Sequence, residues 1–426
     1  MKPNFIVILT DDLGYADYSA FGTPDIRTPN IDSIFHEGLT FENFYANSPV
    51  CSPSRAALLT GCHPDRVGVP GVIRHVEANS WGYLSRDAVL LPQVLKEAGY
   101  YSALIGKWHL GLESPNVPNE RGFDFFHGFL GDMMDDYWTH RRGGHNFMRR
   151  NLEVIDPEGH ATDLFAGWAC EFLEERARKP EEPFFLYLAF NAPHDPIQPP
   201  PEWLERVKVR EPGASPVRQK MVALVEHLDA GIGRVLATLE RTGLAGNTIV
   251  MFSSDNGGKL SFGANNGPLR SEKGHMYEGG VRVPFAVRWP GRIPAGTRTG
   301  HIGQLMDLFP TLAEAAGTPV PAGIDGISLL PVMLNPDTEP VERTLYFVRR
   351  EGGIEYGGKS IEAIRKGGWK LLQDSPFRGL ELYNLDEDPL ETTDRASQSR
   401  ETLTALAAEL RRQIQRGGKT PWQPPG

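Results

Sequence analysis

Two pairs of oxygen-bearing side chains, Asp11-Asp12 and Asp255-Asn256, each close a short apolar run. Carboxylates and an amide offer an all-oxygen ligand set, which suits a hard cation, calcium or magnesium, rather than zinc. One Asp-Asp pair alone reads as a turn or a helix cap; two pairs that both end apolar runs point to a metal. The run CSPSRAALLTG, residues 51–61, sets the thiol of Cys51 at the mouth of a short helix, with Arg55 one turn on. A helix N-terminus presents unpaired N–H groups and a partial positive charge, and a guanidinium matches planar oxyanions. Lys107, His109, His194 and Lys273 complete the set of cationic and proton-transferring groups. His109 lies two residues after Lys107 at a run's end, His194 follows a proline at another, and imidazole works as acid or base near neutral pH. Lys273 sits in the glycine-rich polar loop NNGPLRSEKGHMYEGG, which is no core segment and so needs another reason to be there. Cys62, Cys170 and most of the remaining histidines lack such company and read as structural.

These groups need a scaffold that brings residues 11 to 273 together. Four apolar runs supply it: FIVIL before Asp11, YSALI before Lys107, FFLYLAF before His194 and TIVMF before Asp255. Runs apolar on both faces are buried strands of a largely parallel sheet, and ligand sites of such sheets gather beyond the strands' carboxyl ends. Thr28-Pro29 starts a helix whose apolar face is Ile31, Ile34 and Phe35, with Gly38 as its stop. Residues 218–240 carry Met221, Leu224, Val225, Leu228, Ile232 and Leu236 at helical spacing, a core-facing stripe. From about residue 320 prolines punctuate a linker. TLYFVRR, SIEAIRK, WKLLQD and LELYNL then suggest an antiparallel sheet, and Leu403, Leu406, Leu410 and Ile414 a closing helix ending near Gly417. The expected organisation is α/β, with a catalytic domain over 1–334 and a smaller α+β unit over 335–426.

The 426 residues carry 44 Lys and Arg against 54 Asp and Glu, a formal charge of -10. That excess argues against nucleic-acid binding but not against an anionic small substrate held in a local cationic cleft. Three cysteines make no disulfide framework, and no apolar run reaches the length of a membrane span. No leader precedes the first strand as the chain is written. A cytoplasmic location is therefore the expectation, or a periplasmic or secreted one where a leader has been removed.

Taken together, the motifs resemble those of formylglycine-dependent, arylsulfatase-like sulfatases of the alkaline phosphatase superfamily. Cys51-Ser52-Pro53-Ser54-Arg55 with Leu58-Leu59-Thr60-Gly61 matches C-x-P-S-R-x-x-L-L-T-G, and Gly99 to His109 matches a second family motif. ILTDDLGY, NAPHDP, SSDNGG, KGHMYEGGVRVP and LYNLDEDPLE follow in the family's order, so the resemblance covers nearly the whole chain. It implies an alkaline-phosphatase-like sandwich with a large mixed central sheet flanked by helices. It further implies that a maturation enzyme oxidises Cys51 to formylglycine, whose hydrate attacks a sulfate ester and whose second hydroxyl lets sulfate leave. By the same resemblance Asp11, Asp12, Asp255, Asn256 and an oxygen of modified residue 51 hold calcium, ahead of magnesium. Arg55 and Lys107 brace the hydrate, Asp255 accepts its proton and His109 is the base of the release step. His194 and Lys273 contact the sulfate and the leaving oxygen.

Substrate choice is not carried by these motifs. A small anionic sulfate ester, a sugar or alcohol sulfate, leads, with aryl sulfates as substitutes in assay. A phosphonate monoester or phosphodiester hydrolase using the same modified cysteine is the rival, and a catalytically silent binder of sulfated glycans ranks third because every catalytic position is filled. The stretch 126–150 is rich in aromatics, arginines and histidines and fits no periodic element, so it is expected to line the mouth of the site, with His140, Arg141 and Arg142 touching substrate.

Overall fold

The computed structural model describes residues 2–353 and 358–423. Its strands are β1 (Asn4–Thr10), β2 (Leu39–Tyr45), β3 (Tyr101–Lys107), β4 (Phe125–Phe129), β5 (Arg141–Arg142), β6 (His145–Asn146), β7 (Met148–Arg150), β8 (Glu153–Val154), β9 (Phe184–Ala189), β10 (Thr248–Ser254), β11 (Phe285–Arg288), β12 (Thr297–Gln304), β13 (Thr344–Arg350), β14 (Ser360–Lys366), β15 (Trp369–Gln373) and β16 (Glu381–Asn384). The helices are α1 (Pro29–His36), α2 (Cys51–Thr60), α3 (Leu91–Glu97), α4 (Ala161–Ala177), α5 (Pro201–Arg210), α6 (Pro216–Arg241), α7 (Glu278–Val281), α8 (Leu308–Ala316), α9 (Leu330–Leu334) and α10 (Arg400–Gly417).

A ten-stranded sheet runs β12-β2-β11-β10-β1-β9-β3-β4-β7-β8. The four apolar runs are its neighbouring strands β10, β1, β9 and β3, all parallel, so their polar ends open on one crevice. The sheet is mixed because β11 pairs antiparallel with both β10 and β2, as β4 does with β7. Strand alternation explains why the runs are apolar throughout. Phe5, Val7 and Leu9 pack with Leu58 of α2, Leu91 and Leu95 of α3 and Leu312 of α8, whereas Ile6 and Ile8 pack with Ile31 and Ile34 of α1, Phe165 of α4 and Leu224 and Leu228 of α6. Each strand thus buries both faces under helices. Pro29 opens α1 behind Thr28, and Ser215 caps α6 by accepting from the Arg218 N–H. Among the described residues no helix is long and apolar enough to cross a membrane.

The stretch 126–150 departs from the sequence reading. It contributes β4, the β5–β6 hairpin and β7, with Phe126, Phe129 and Met148 buried. Gly128 hides the regular element: it pairs with Gly106, and a Cβ on it would lie 2.0 Å from the Gly106 carbonyl oxygen. The close approach of β4 to β3 therefore requires a residue without a side chain, which interrupts the apolar pattern.

β13 to β16 form a four-stranded antiparallel sheet in chain order. One face, with Phe347, Ile361 and Leu372, packs on Tyr45, Met276 and Val281; the other, with Tyr346, Val348 and Ile364, packs on Leu406 and Leu410 of α10. A fully buried ionic cluster also ties this sheet to the rest. Lys370 of β15 places Nζ 2.9 Å from Oε1 of Glu278 and 2.9 Å from Oε1 of Glu391. The Tyr45 hydroxyl donates to Glu278 Oε2 at 2.8 Å, and Glu391 Oε2 accepts the Glu278 N–H at 2.7 Å.

Candidate active site

Local geometry delivers each side chain to the crevice. Gly106 has φ of +106°, which turns the end of β3 so that Lys107 is fully buried behind it. Asp12 and His109, at φ of 66° and 59°, occupy the left-handed region that non-glycine residues rarely adopt, and such strain is typical of functional positions. α2 begins at Cys51, and its N-cap, Val50, makes no side-chain cap bond, so the first-turn N–H groups of the helix receive no cap from that side chain.

The oxygen ligands and cations interlock. Lys107 Nζ lies 2.6 Å from Asp11 Oδ2, and Arg55 donates to Asp255 Oδ2 through Nε at 2.9 Å and Nη2 at 2.7 Å. Asn256 Nδ2 donates to Asp12 Oδ1 at 2.8 Å, and the Asp12 N–H to Asp255 Oδ1 at 3.2 Å. Lys273 Nζ bridges Asp12 Oδ2 at 2.5 Å and His194 Nε2 at 3.0 Å. His194 Nε2 therefore accepts, and its Nδ1–H donates to the Asp195 carbonyl at 2.7 Å. His109 donates Nε2–H to the Ile73 carbonyl at 2.9 Å, leaving a buried Nδ1 lone pair without a partner.

Burial sets the protonation states. It pushes the Cys51 thiol well above its usual range, although Lys107 and Lys273 pull the other way, so an unmodified sulfur is a neutral thiol and a weak nucleophile. Burial, reinforced by Lys107 and Arg55, drives His109 well below its usual value, so its imidazole is neutral at pH 7 and its Nδ1 carries no proton. Asp11 is held well below the carboxylate range, against burial, by Lys107, His194 and Arg55. Burial and neighbouring Asp11 push Asp255 up to about 7 against the pull of Arg55.

These residues fit a hard cation. Asp11 Oδ1 and Asn256 Oδ1 are buried and accept no hydrogen bond, the condition of oxygens kept for a metal. Ligand atoms of Asp11, Asp12, Cys51 and His194 lie within 4.8 Å of one another. His194 thus stands nearer the metal pocket than the sequence reading placed it.

The structure brings together Asp11, Asp12, Cys51, Arg55, Lys107, His194, Asp255, Asn256 and Lys273, with His109 joined through Ile73. It gives His140, Arg141 and Arg142 other partners. His140 is fully buried and bonded through Nε2 to the Gly159 carbonyl at 2.9 Å. Arg141 is forked onto Asp156, and Arg142 onto Asp132 with a further bond to Asp135. Within this stretch the Leu130 carbonyl accepts the His109 N–H at 3.2 Å, and the side chain of Tyr137, which sequence reasoning missed, reaches the segment that carries His194. Its buried hydroxyl, with one hydrogen to share, lies 2.8 Å from the Asn191 carbonyl and 2.9 Å from that of His194. A lone tyrosine among many aromatics carries no spacing signal. Ser52 was missed as well; its Oγ accepts the Ile73 N–H at 3.1 Å and so ties α2 to the segment that holds His109.

Comparison with known proteins places this geometry. A sequence model of the sulfatase family matches residues 3–318, and one described as "N-sulphoglucosamine sulphohydrolase, C-terminal" matches residues 271–419. The chain is 34% identical over 391 residues to N-acetylgalactosamine-6-sulfatase of Canis lupus familiaris, across 86% of this chain and 71% of that protein. It is 34% identical over 403 residues to arylsulfatase A of Homo sapiens, across 86% and 74% respectively. Among solved structures, Ps i-CgsB in complex with k-i-k-neocarrahexaose superposes with a TM-score of 0.90 at 32% identity, covering 99% of this chain and 95% of that one. The chain belongs to the sulfatase family and is a sulfuric ester hydrolase.

Proposed function

We propose that this sulfatase removes sulfate from a sulfated carbohydrate and does so with formylglycine at position 51 and a calcium ion beside it. The observation that carries the reading is the pairing of a buried, neutral thiol at a helix mouth with two orphaned ligand oxygens, those of Asp11 and Asn256. A thiol in that state is a poor nucleophile, whereas a hydrated aldehyde supplies an activated hydroxyl and a second one through which sulfate departs. Conversion of Cys51 is the work of an external maturation enzyme, which removes the sulfur and oxidises the β-carbon. Asp11, Asp12, Asp255 and Asn256 would hold the cation, whose chemistry is to polarise a sulfate oxygen.

The chain's own groups divide the remaining work. Arg55 and Lys107, both fully buried, fix the carboxylates that border residue 51 and place positive charge where an oxyanion develops. His109 offers its bare Nδ1 as the proton acceptor of the release step. Lys273 and His194, in contact across 3.0 Å, face the departing sugar oxygen, and either one protonates it. A carbohydrate substrate is favoured by relatives named for a sugar sulfate and by the saccharide complex of the structural neighbour. Peptide mass spectrometry across residue 51 after coexpression with a formylglycine-generating enzyme, together with sulfate release from sulfated sugars, nitrophenyl sulfate and a phenylphosphonate ester, tests it. An intact cysteine in active protein would sink the formylglycine reading, and a clear preference for the phosphonate the sulfate one.

A further inference from the structure

A cleft of about 660 Å³ opens beside His109, and no residue that the mechanism uses lines it. Its floor is Ile73, whose carbonyl takes the His109 Nε2–H and whose N–H reaches Ser52, and Leu110, the residue after His109. The cleft is therefore separated from His109 and from the first turn of α2 by single hydrogen bonds of Ile73. Four separate segments build it: 73–86, 110–116, His145 with Phe147, and Gln423 near the C-terminus. Gly143 locks the hairpin in place; a Cβ there would lie 2.5 Å from His75 Nε2.

The lining is chemically mixed. Arg86, His75 and His145 offer donors, Glu77 and Glu113 offer acceptors, and Tyr83 and Phe147 offer flat apolar faces. The His75 Nδ1 is buried with no hydrogen-bond partner, and Arg86 makes no ion pair or hydrogen bond among the described residues. A lining that holds donors, acceptors and aromatic faces together matches a pyranose, which presents hydroxyls at its rim and C–H groups on its faces. The volume lies within the range of pockets that bury a whole small ligand.

We infer that this cleft binds the sugar ring next to the sulfated one, so that the enzyme's substrate is an oligosaccharide rather than a monosaccharide sulfate. The inference rests on the sulfated-carbohydrate reading above and adds a determinant of chain length to it. It also moves the contribution of the stretch 126–150 from His140, Arg141 and Arg142 to His145 and Phe147.

The test compares kcat/KM on sulfated monosaccharides, on sulfated di- to hexasaccharides prepared from carrageenan and chondroitin, and on nitrophenyl sulfate. Arg86→Ala and His145→Ala alter exposed side chains and so leave folding intact; His75→Ala is the third variant. The expected result is a preference of the unaltered enzyme for an oligosaccharide over its monosaccharide. The variants should lose about tenfold on the oligosaccharide through KM, the worth of about 1.4 kcal/mol, with nitrophenyl sulfate turnover unchanged. Equal rates on mono- and oligosaccharides, or equal losses on oligosaccharide and nitrophenyl sulfate, overturn the inference while the sulfatase reading stands. Saccharides left untouched by an enzyme that cleaves nitrophenyl sulfate overturn the carbohydrate reading and this inference with it.

Discussion

Replacing Lys370 by methionine should weaken the protein in a way that depends on pH. The side chains of Lys370, Glu278 and Glu391 are all fully buried, and Lys370 is the cation that both carboxylates share. Glu278 keeps Arg282, 3.6 Å away, after the change, so the burden falls on Glu391. Breaking a buried charge cluster by removing one partner costs about 3–5 kcal/mol. Burial already pushes Glu391 up to about 7, with Lys370 pulling it down and Glu278 pushing it further up. A carboxyl raised above its unfolded value gives stability that is whole below about pH 4.5 and is lost as pH rises through the folded pKa. Without Lys370 the folded pKa climbs above 7, so the variant keeps losing stability at up to about 1.4 kcal/mol per pH unit where the unaltered protein has levelled off. The deficit should therefore be roughly 1 kcal/mol larger at pH 8 than at pH 6. Urea unfolding of both proteins at the two pH values measures it, and adding Glu391→Gln to the variant should abolish the extra slope. A loss below about 1 kcal/mol, or one equal at both pH values, would refute the claim that Lys370 neutralises a buried acid pair.

Other perturbations bear on the site. His109→Ala should lower kcat by about 10²–10⁴-fold, the usual loss on removing a general base, with a smaller change in KM. Tyr137→Phe should cost about 1 kcal/mol in stability and slow turnover of nitrophenyl sulfate, whereas Arg141→Ala should leave that turnover unchanged; a reversed order would restore the arginine as a site residue. Chelation followed by dialysis should lower both activity and the melting temperature, and calcium at about 100 times its Kd should return about 2.7 kcal/mol of stability. Full activity and an unmoved melting temperature after metal stripping would dismiss the cation.

The central strands were legible because burial on both faces leaves no charged residue in FIVIL or TIVMF, and a parallel strand's ligand groups must follow it. The C-terminal sheet was legible for the complementary reason, since turn residues separate its four runs. The strands at the flanks were less so. β4 is broken by Gly128, whose fitness depends on Gly106 across the ladder, a relation that no local pattern displays. The arginines at 141 and 142 looked free because Asp132, Asp135 and Asp156, which absorb them, become partners only once the hairpin has folded. Lys370 is likewise one lysine in a short strand, and its two acids lie 92 residues before it, at Glu278, and in a later loop, at Glu391.

The burial of Cys51 has a consequence in time. Residue 51 is 3% exposed in the finished fold, and its neighbours Asp255 and Lys273 are synthesised more than two hundred residues after it. At ribosomal speeds of about 5–20 residues per second, that delay lasts roughly 10–40 s. During it α2 can be made, but the crevice that will close over its first residue does not yet exist. An enzyme that alters position 51 must work inside this interval or hold the chain open beyond it, so slower translation between residues 61 and 255 should raise the fraction of chains that leave the ribosome competent.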